Sequence, residues 1–170
     1  MRMVPDYEIE ERHNMSEMAK QRAMIFDHAW QCNYDAVWFV DTDILPEDDI
    51  LDAMLNCVGS VVAAPYRVKW LQGVPTILLK KHGMVEPLRC SVIKNFNLPI
   101  DCFIAGFGCT LVRRTAFNVR IENKSIIIND DTEVHGDDVG FFLNCSKRDD
   151  LIVQALPGRA QPHLYDRHKQ

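Results

Sequence analysis

Apolar positions recur along this chain with two periods, and the alternation of those periods predicts its elements. Residues 3 to 10 read as a short edge strand. Asn14-Met15-Ser16, with Glu17 in the first turn, gives a helix-capping signal. From there to Gln31, Met18, Arg22, Ile25, Phe26 and Ala29 recur at three- and four-residue steps, which predicts an amphipathic helix. Gln31 to Asp35 is a turn. Ala36-Val37-Trp38-Phe39-Val40 is a continuous apolar run, predicting a strand buried on both faces. Asp48 to Val58 predicts a second helix with Ile50, Leu51, Met54 and Leu55 on its apolar face, and Gly59 ends it. Ser60 to Tyr66 is a second buried strand, closed by Pro65.

Residues 67 to 103, broken by Gly73, Pro75, Gly83 and Pro87, predict an irregular region or a β-meander. Phe103 to Val112 is strand-like and punctuated by Gly106 and Gly108. Arg113 to Phe117 begins a short helix. Ile126 to Ile128 is a brief strand, and Val134 to Leu143 turns into a helix at Asp137-Asp138. Leu151 to Ala155 is a last strand, and a tail follows from Pro157. Helices feeding buried strands predict an α/β fold with a mainly parallel sheet, and 170 residues suit a single domain over 1–170.

Charge narrows the function. A formal net charge of −5 argues against a nucleic-acid binder working through a broad basic surface. It leaves room for a phosphate-bearing small molecule, because a metal can supply local positive charge. No apolar run approaches the roughly 20 residues of a membrane span, and no export signal is visible at Met1-Arg2-Met3. Six cysteines without a C-x-x-C pair read as buried thiols, and the expected compartment is the cytoplasm.

The chemistry concentrates at Asp41-Thr42-Asp43, which ends the Ala36–Val40 run. Ligands of open α/β sheets bind beyond the carboxyl ends of strands, and two carboxylates one residue apart offer hard oxygens to Mg²⁺ or Mn²⁺. An acidic cap for the helix after Pro46 would use the same residues. Gly106-Phe107-Gly108 is either a strand bulge or a place where backbone approaches a ligand closely. Gly136-Asp137-Asp138 opens a helix, as either a plain acidic first turn or a pair of working carboxylates. Arg113-Arg114 reads as a solvated helix start rather than a phosphate clamp. Trp70 is core, or a platform for a sugar ring. His163 lies in the tail, with His135 and His168 as competing candidates.

Taken in order, a helix carrying Arg22, then Asp41-Thr42-Asp43, Gly106-Phe107-Gly108, Gly136-Asp137-Asp138 and His163 resemble the GT-A fold glycosyltransferases, of a family 2-like, DxD-containing kind. The resemblance spans about Asn14 to His163. It implies a nucleoside-diphosphate-sugar donor and a carbohydrate or other hydroxyl acceptor. Asp41, Asp43 and His163 would hold Mn²⁺ or Mg²⁺, with Asp41, Asp43 and Arg22 at the donor. Asp138 would be the base and Asp137 would orient the acceptor. A helix N-terminus should favour both of those carboxylates as anions.

The family begins with a further strand and helix that bind the nucleotide base. Here the chain starts at what resembles the second strand, so the fold is expected to be GT-A-like but N-terminally truncated. An exposed sheet edge then invites a homodimer or a partner chain. Two alternatives stand beside the transferase: a non-catalytic nucleotide-sugar or glycan-binding remnant, and a nucleotidyltransferase. The latter would need a glycine- and lysine/arginine-rich loop after its first strand, and none is present.

Overall fold

The computed structural model describes residues 6–66, 76–81, 83–88, 98–128 and 132–161, with the side chains of its first helix from Glu17 onward. That helix, α1, spans Asp6–Gln31. It takes in residues 6–10, where a strand was expected. Glu8, Glu10, Glu11 and Arg12 all favour helix, and no glycine or proline interrupts the span. Its buried stripe is Ala19, Arg22, Phe26 and Ala29, whereas Met18 and Ile25 are exposed. Asn33, at φ 59°, takes the left-handed conformation that closes the helix, and the Tyr34 N–H returns to the Ala29 carbonyl at 3.0 Å.

The central sheet has five strands: β1 Ala36–Val40, β2 Val61–Ala63, β5 Ile100–Asp101, β6 Cys109–Arg113 and β9 Val153–Ala155. Their order is β1-β6-β2-β9-β5. The sheet is mixed rather than mainly parallel: β6 pairs antiparallel with both β1 and β2, β5 pairs antiparallel with β9, and only β2 and β9 pair in parallel. The β1 strand lies at an edge and its residues are partly exposed, so the expected two-sided burial does not hold. Two hairpins flank the sheet. One joins β3 Leu78–Lys81 to β4 Met84–Pro87, and the other pairs β7 Lys124–Ile128 with β8 Thr132–Gly136. The hairpin of β3 and β4 falls within the stretch expected to be irregular or a β-meander, and fits the second of these.

Alternation along the strands sorts the core into two layers. Val37, Phe39, Val61, Ala63, Val112 and Val153 face α1 and a second helix, α3, Asp137–Cys145. There Phe26, Phe107, Phe117, Phe141 and Phe142 form an aromatic cluster with ring centroids 5.0–5.9 Å apart. On the other face Trp38, Val62, Cys109 and Leu111 pack under α2, Ile50–Leu55, through Ile50 and Met54. This helix is shorter than expected, and Leu55 is exposed.

Arg113 and Arg114 have structural work. Arg113 donates to the carbonyls of Leu55, Cys57 and Gly59, at and beyond the C-terminal end of α2. Arg114 donates to the Trp30 and Tyr34 carbonyls at the end of α1, its guanidinium 4.4 Å from the Trp30 ring. Helix ends leave carbonyls without intrahelical partners, and cations satisfy them best. The pair is therefore neither a phosphate clamp nor a merely solvated start.

Candidate active site

The strands deliver their chemistry to one end of the sheet. The β1, β2 and β9 strands run the same way, and β6 starts where they finish. Asp41 follows β1, Tyr66 follows β2, Gly106 to Gly108 precede β6, and Gln161 follows β9. The acidic N-terminus of α3 joins them through Arg22.

Arg22 is the hinge of this cluster. Its Nη1 donates to Asp137 Oδ2 at 2.6 Å, and its Nη2 lies 3.6 Å from Asp41 Oδ1. The guanidinium carbon sits 4.5 Å above the Phe107 ring. The side chains of Arg22 and Asp137 are only 11% and 5% exposed, so each neutralises a charge that burial would otherwise make costly. Asp137 is therefore placed to orient Arg22. Arg22 reaches the DxD segment through Asp41.

Asp138 behaves differently. Burial and the neighbouring Asp137 charge push its carboxyl up to about 6, against the pull of the Val139 N–H at 2.8 Å and of Arg22. The Asp41 charge pushes the same way. The helix N-terminus thus fails to hold this carboxylate strongly anionic, because desolvation and a like charge outweigh it. A carboxyl poised there is a competent proton acceptor near neutral pH.

Asp41 is fixed by backbone bonds as well. Its N–H donates to the Gly108 carbonyl at 2.9 Å, and its carbonyl accepts from Ile44 N–H at 3.0 Å, turning the chain through Asp43. What lies against Gly106 and Gly108 is the Tyr66 side chain, not open space for a sugar. A Cβ on Gly106 would stand 2.3 Å from the Tyr66 hydroxyl, and one on Gly108 would stand 2.6 Å from Tyr66 Cζ and 2.9 Å from Asp41 Oδ2. The Gly108 N–H donates to that hydroxyl at 3.2 Å.

Tyr66 and Gln161 are the site's neighbours that the sequence pattern missed. Buried Gln161 accepts from the Glu47 N–H at 2.7 Å, donates its own N–H to the Pro65 carbonyl at 2.7 Å, and bridges to Tyr66. Beside it, Arg159 pairs with Glu47 at 2.6 Å and with Asp49. The start of the tail thus straps the loop after Asp43 to the end of β2. The pair of glycines one residue apart was the available signal for a bulky neighbour.

His163, Trp70 and His168 lie outside the described residues, and His135 is exposed on β8. Among the described residues, no three His, Cys, Asp or Glu side chains gather to hold a metal ion. Asp41 and Asp43 still present two carboxylates on one turn. Those donors suit a divalent cation that takes its remaining oxygens from phosphate and water.

No protein-family model matches the chain, and no curated protein matches it. Among solved structures it is similar to the crystal structure of A197 from STIV, with a TM-score of 0.54 and 22% sequence identity. The match covers 86% of this chain and 66% of that one, just under two thirds of its length. At this identity the likeness speaks to a shared mixed α/β fold.

Proposed function

We propose that this protein moves a sugar from a nucleoside-diphosphate-sugar donor to a hydroxyl acceptor, on a GT-A-like fold. The observation that carries the reading is Arg22, which joins Asp41 at the end of β1, 3.6 Å away, to Asp137 at the acidic start of α3, 2.6 Å away, and so brings the DxD turn and the Asp137-Asp138 pair to one end of the sheet; the Asp138 carboxyl there is raised to about 6. A raised base and a paired-carboxylate turn at the carboxyl ends of strands are what such a transfer requires. The order of motifs along the chain supports the same family.

Asp41 and Asp43 would hold Mn²⁺ or Mg²⁺, and the resemblance adds His163. Such a cation, when bound, neutralises charge on the departing diphosphate. The chain's own residues do the rest. Asp138 takes the proton of the acceptor hydroxyl. The acceptor oxygen forms its bond to the anomeric carbon as the bond to the diphosphate oxygen breaks, and the electron pair leaves with the nucleoside diphosphate. A single displacement of this kind inverts the configuration at that carbon. Arg22, held by Asp137, keeps Asp41 in register with α3.

A screen of UDP- and GDP-sugars with Mn²⁺ tests the proposal. The wild-type protein should release nucleoside diphosphate, and Asp43→Ala should lose at least 100-fold of that rate, on the scale of deleting one group that acts on transition-state charge (roughly 10²–10³). Undiminished turnover in EDTA, or in Asp43→Ala, would refute it. Mn²⁺-dependent stabilisation by UDP or GDP without any turnover would instead favour the binding remnant.

A further inference from the structure

We propose that Thr110 is a positioning residue of this cleft: its buried hydroxyl fixes the turn at Phe107-Gly108, so that one piece of backbone supports both Asp41 and Arg22. The inference deepens the transferase reading and rests on it only for its kinetic consequence.

A hydroxyl is out of place where Thr110 sits. The residue is fully buried on β6, and its cross-strand partners, Phe39 on β1 and Ala63 on β2, are apolar. Alternation along β6 puts it on the same face as Val112, toward α1 and α3. A hydroxyl buried there without a partner would be costly. Thr110 Oγ1 donates instead to the Gly106 carbonyl at 2.7 Å, four residues back.

That bond spans the turn by which the chain enters β6, and two groups of the cleft rest on the spanned residues. The Gly108 carbonyl accepts from Asp41 N–H at 2.9 Å, and the Phe107 ring lies 4.5 Å beneath the Arg22 guanidinium carbon. Arg22 Nη2 is in turn 3.6 Å from Asp41 Oδ1. The turn therefore holds Asp41 by its backbone and Arg22 by the flat face of its guanidinium.

Packing alone does not fix this turn. The Phe107 ring is wedged against Phe39, Phe141 and Phe142, with centroids 5.0–5.9 Å away. Those contacts set where the ring sits, but they do not choose the direction of the carbonyls on either side of it. Both flanking residues are glycines, whose backbone rotates freely. A hydrogen bond is directional. The Thr110 bond fixes the Gly106 carbonyl on one side of the ring and leaves the Gly108 carbonyl, on the other, aimed at Asp41.

Two variants of the full chain test this. Thr110→Val replaces the hydroxyl by a methyl of the same shape, whereas Thr110→Ser keeps the hydroxyl and drops the methyl. The first readout is the ¹H–¹⁵N resonances of the Asp41 amide and the Arg22 Nε–H in the ligand-free protein, with the Val153 amide on β9 as reference. The second is the Mn²⁺ dependence of UDP- or GDP-sugar hydrolysis. In Thr110→Val both resonances should move while that of Val153 holds. The Mn²⁺ concentration giving half the maximal rate should rise about three- to tenfold, the loss expected for one neutral hydrogen bond, with the donor KM at saturating Mn²⁺ within about twofold. Thr110→Ser should keep the wild-type values throughout. Unmoved Asp41 and Arg22 resonances in Thr110→Val overturn the proposal. So does a Thr110→Ser protein that moves them as far as the valine does, because the methyl's packing would then be the cause. Should Thr110→Val fail to fold, Thr110→Ala read against Thr110→Ser makes the same comparison at the hydroxyl. If the wild-type protein shows no Mn²⁺-dependent hydrolysis, the transferase reading fails, while the resonances still decide the role of Thr110.

Discussion

Arg22 and the acids around it carry the site at the scale of single residues. Arg22→Met would leave Asp137 buried without its partner, 2.6 Å from where a guanidinium nitrogen stood. Breaking a buried pair in this way costs about 3–5 kcal/mol, so thermal unfolding should drop by roughly 10 °C. Arg22→Met combined with Asp137→Leu should recover most of that loss, because an apolar pair of similar size carries no unpaired charge. Asp138 gives a prediction of opposite sign. Its folded-state value of about 6 lies above the ordinary 3.8, so the folded protein binds this proton more tightly than the unfolded chain does. Its stability contribution is fully present below about pH 4 and is lost as pH rises through 6. Asp138→Asn should therefore be more stable than wild type above pH 6, by about 1–3 kcal/mol, and indistinguishable near pH 4 in urea titrations at both pH values. Arg22 was legible from its place on the helical pattern. Its partner was not, since Asp137 is 115 residues away and periodicity carries no information about such pairings.

Whole elements are set by their ends and by close approaches. Arg113 holds three carbonyls at and beyond the end of α2, and Arg113→Ala should cost about 1–2 kcal/mol by denaturant unfolding, through stranded carbonyls rather than lost charge. Gly140 in α3 is a close approach: a Cβ there would stand 1.6 Å from the Glu122 carbonyl oxygen. Gly140→Ala must push α3 off the Glu122 backbone, and a loss of at least about 3 kcal/mol or failure to fold should follow on thermal melting. The strands β1, β2, β6, β7 and β9 were legible in apolar runs, and α3 in the acidic start of its helical pattern. The N-terminal extent of α1 was not, because Tyr7 and Ile9 alternate like a strand within residues whose propensity favours helix. The β3–β4 hairpin was legible only as one of two alternatives, a β-meander beside irregular structure, because short strands broken by Gly83 and Pro87 give little period to count. Tyr66 was hidden for another reason: in sequence it is only the last residue of a strand, and its role comes from glycines forty residues on.

At the scale of the molecule, the sheet is what brings these parts together. Inserting antiparallel β6 between β1 and β2 places the Gly106–Gly108 approach beside Asp41 and Tyr66, which a wholly parallel sheet would not do. The α/β character was legible from helices alternating with apolar runs. Strand direction was not, because an antiparallel strand buried on both faces has the same composition as a parallel one. Among the described residues no helix is long and apolar enough to cross a membrane, consistent with the absence of a long apolar run. The central claim is that Asp138 accepts the proton during metal-dependent sugar transfer. Its most direct test is the pH–rate profile of Mn²⁺-dependent nucleoside-diphosphate release from a UDP- or GDP-sugar, measured for wild type and Asp138→Asn. The account predicts a rate that rises through about pH 6 to a plateau in the wild type and falls to background in the variant. A wild-type profile without that rise, or an Asp138→Asn protein that keeps the wild-type rate, would contradict it.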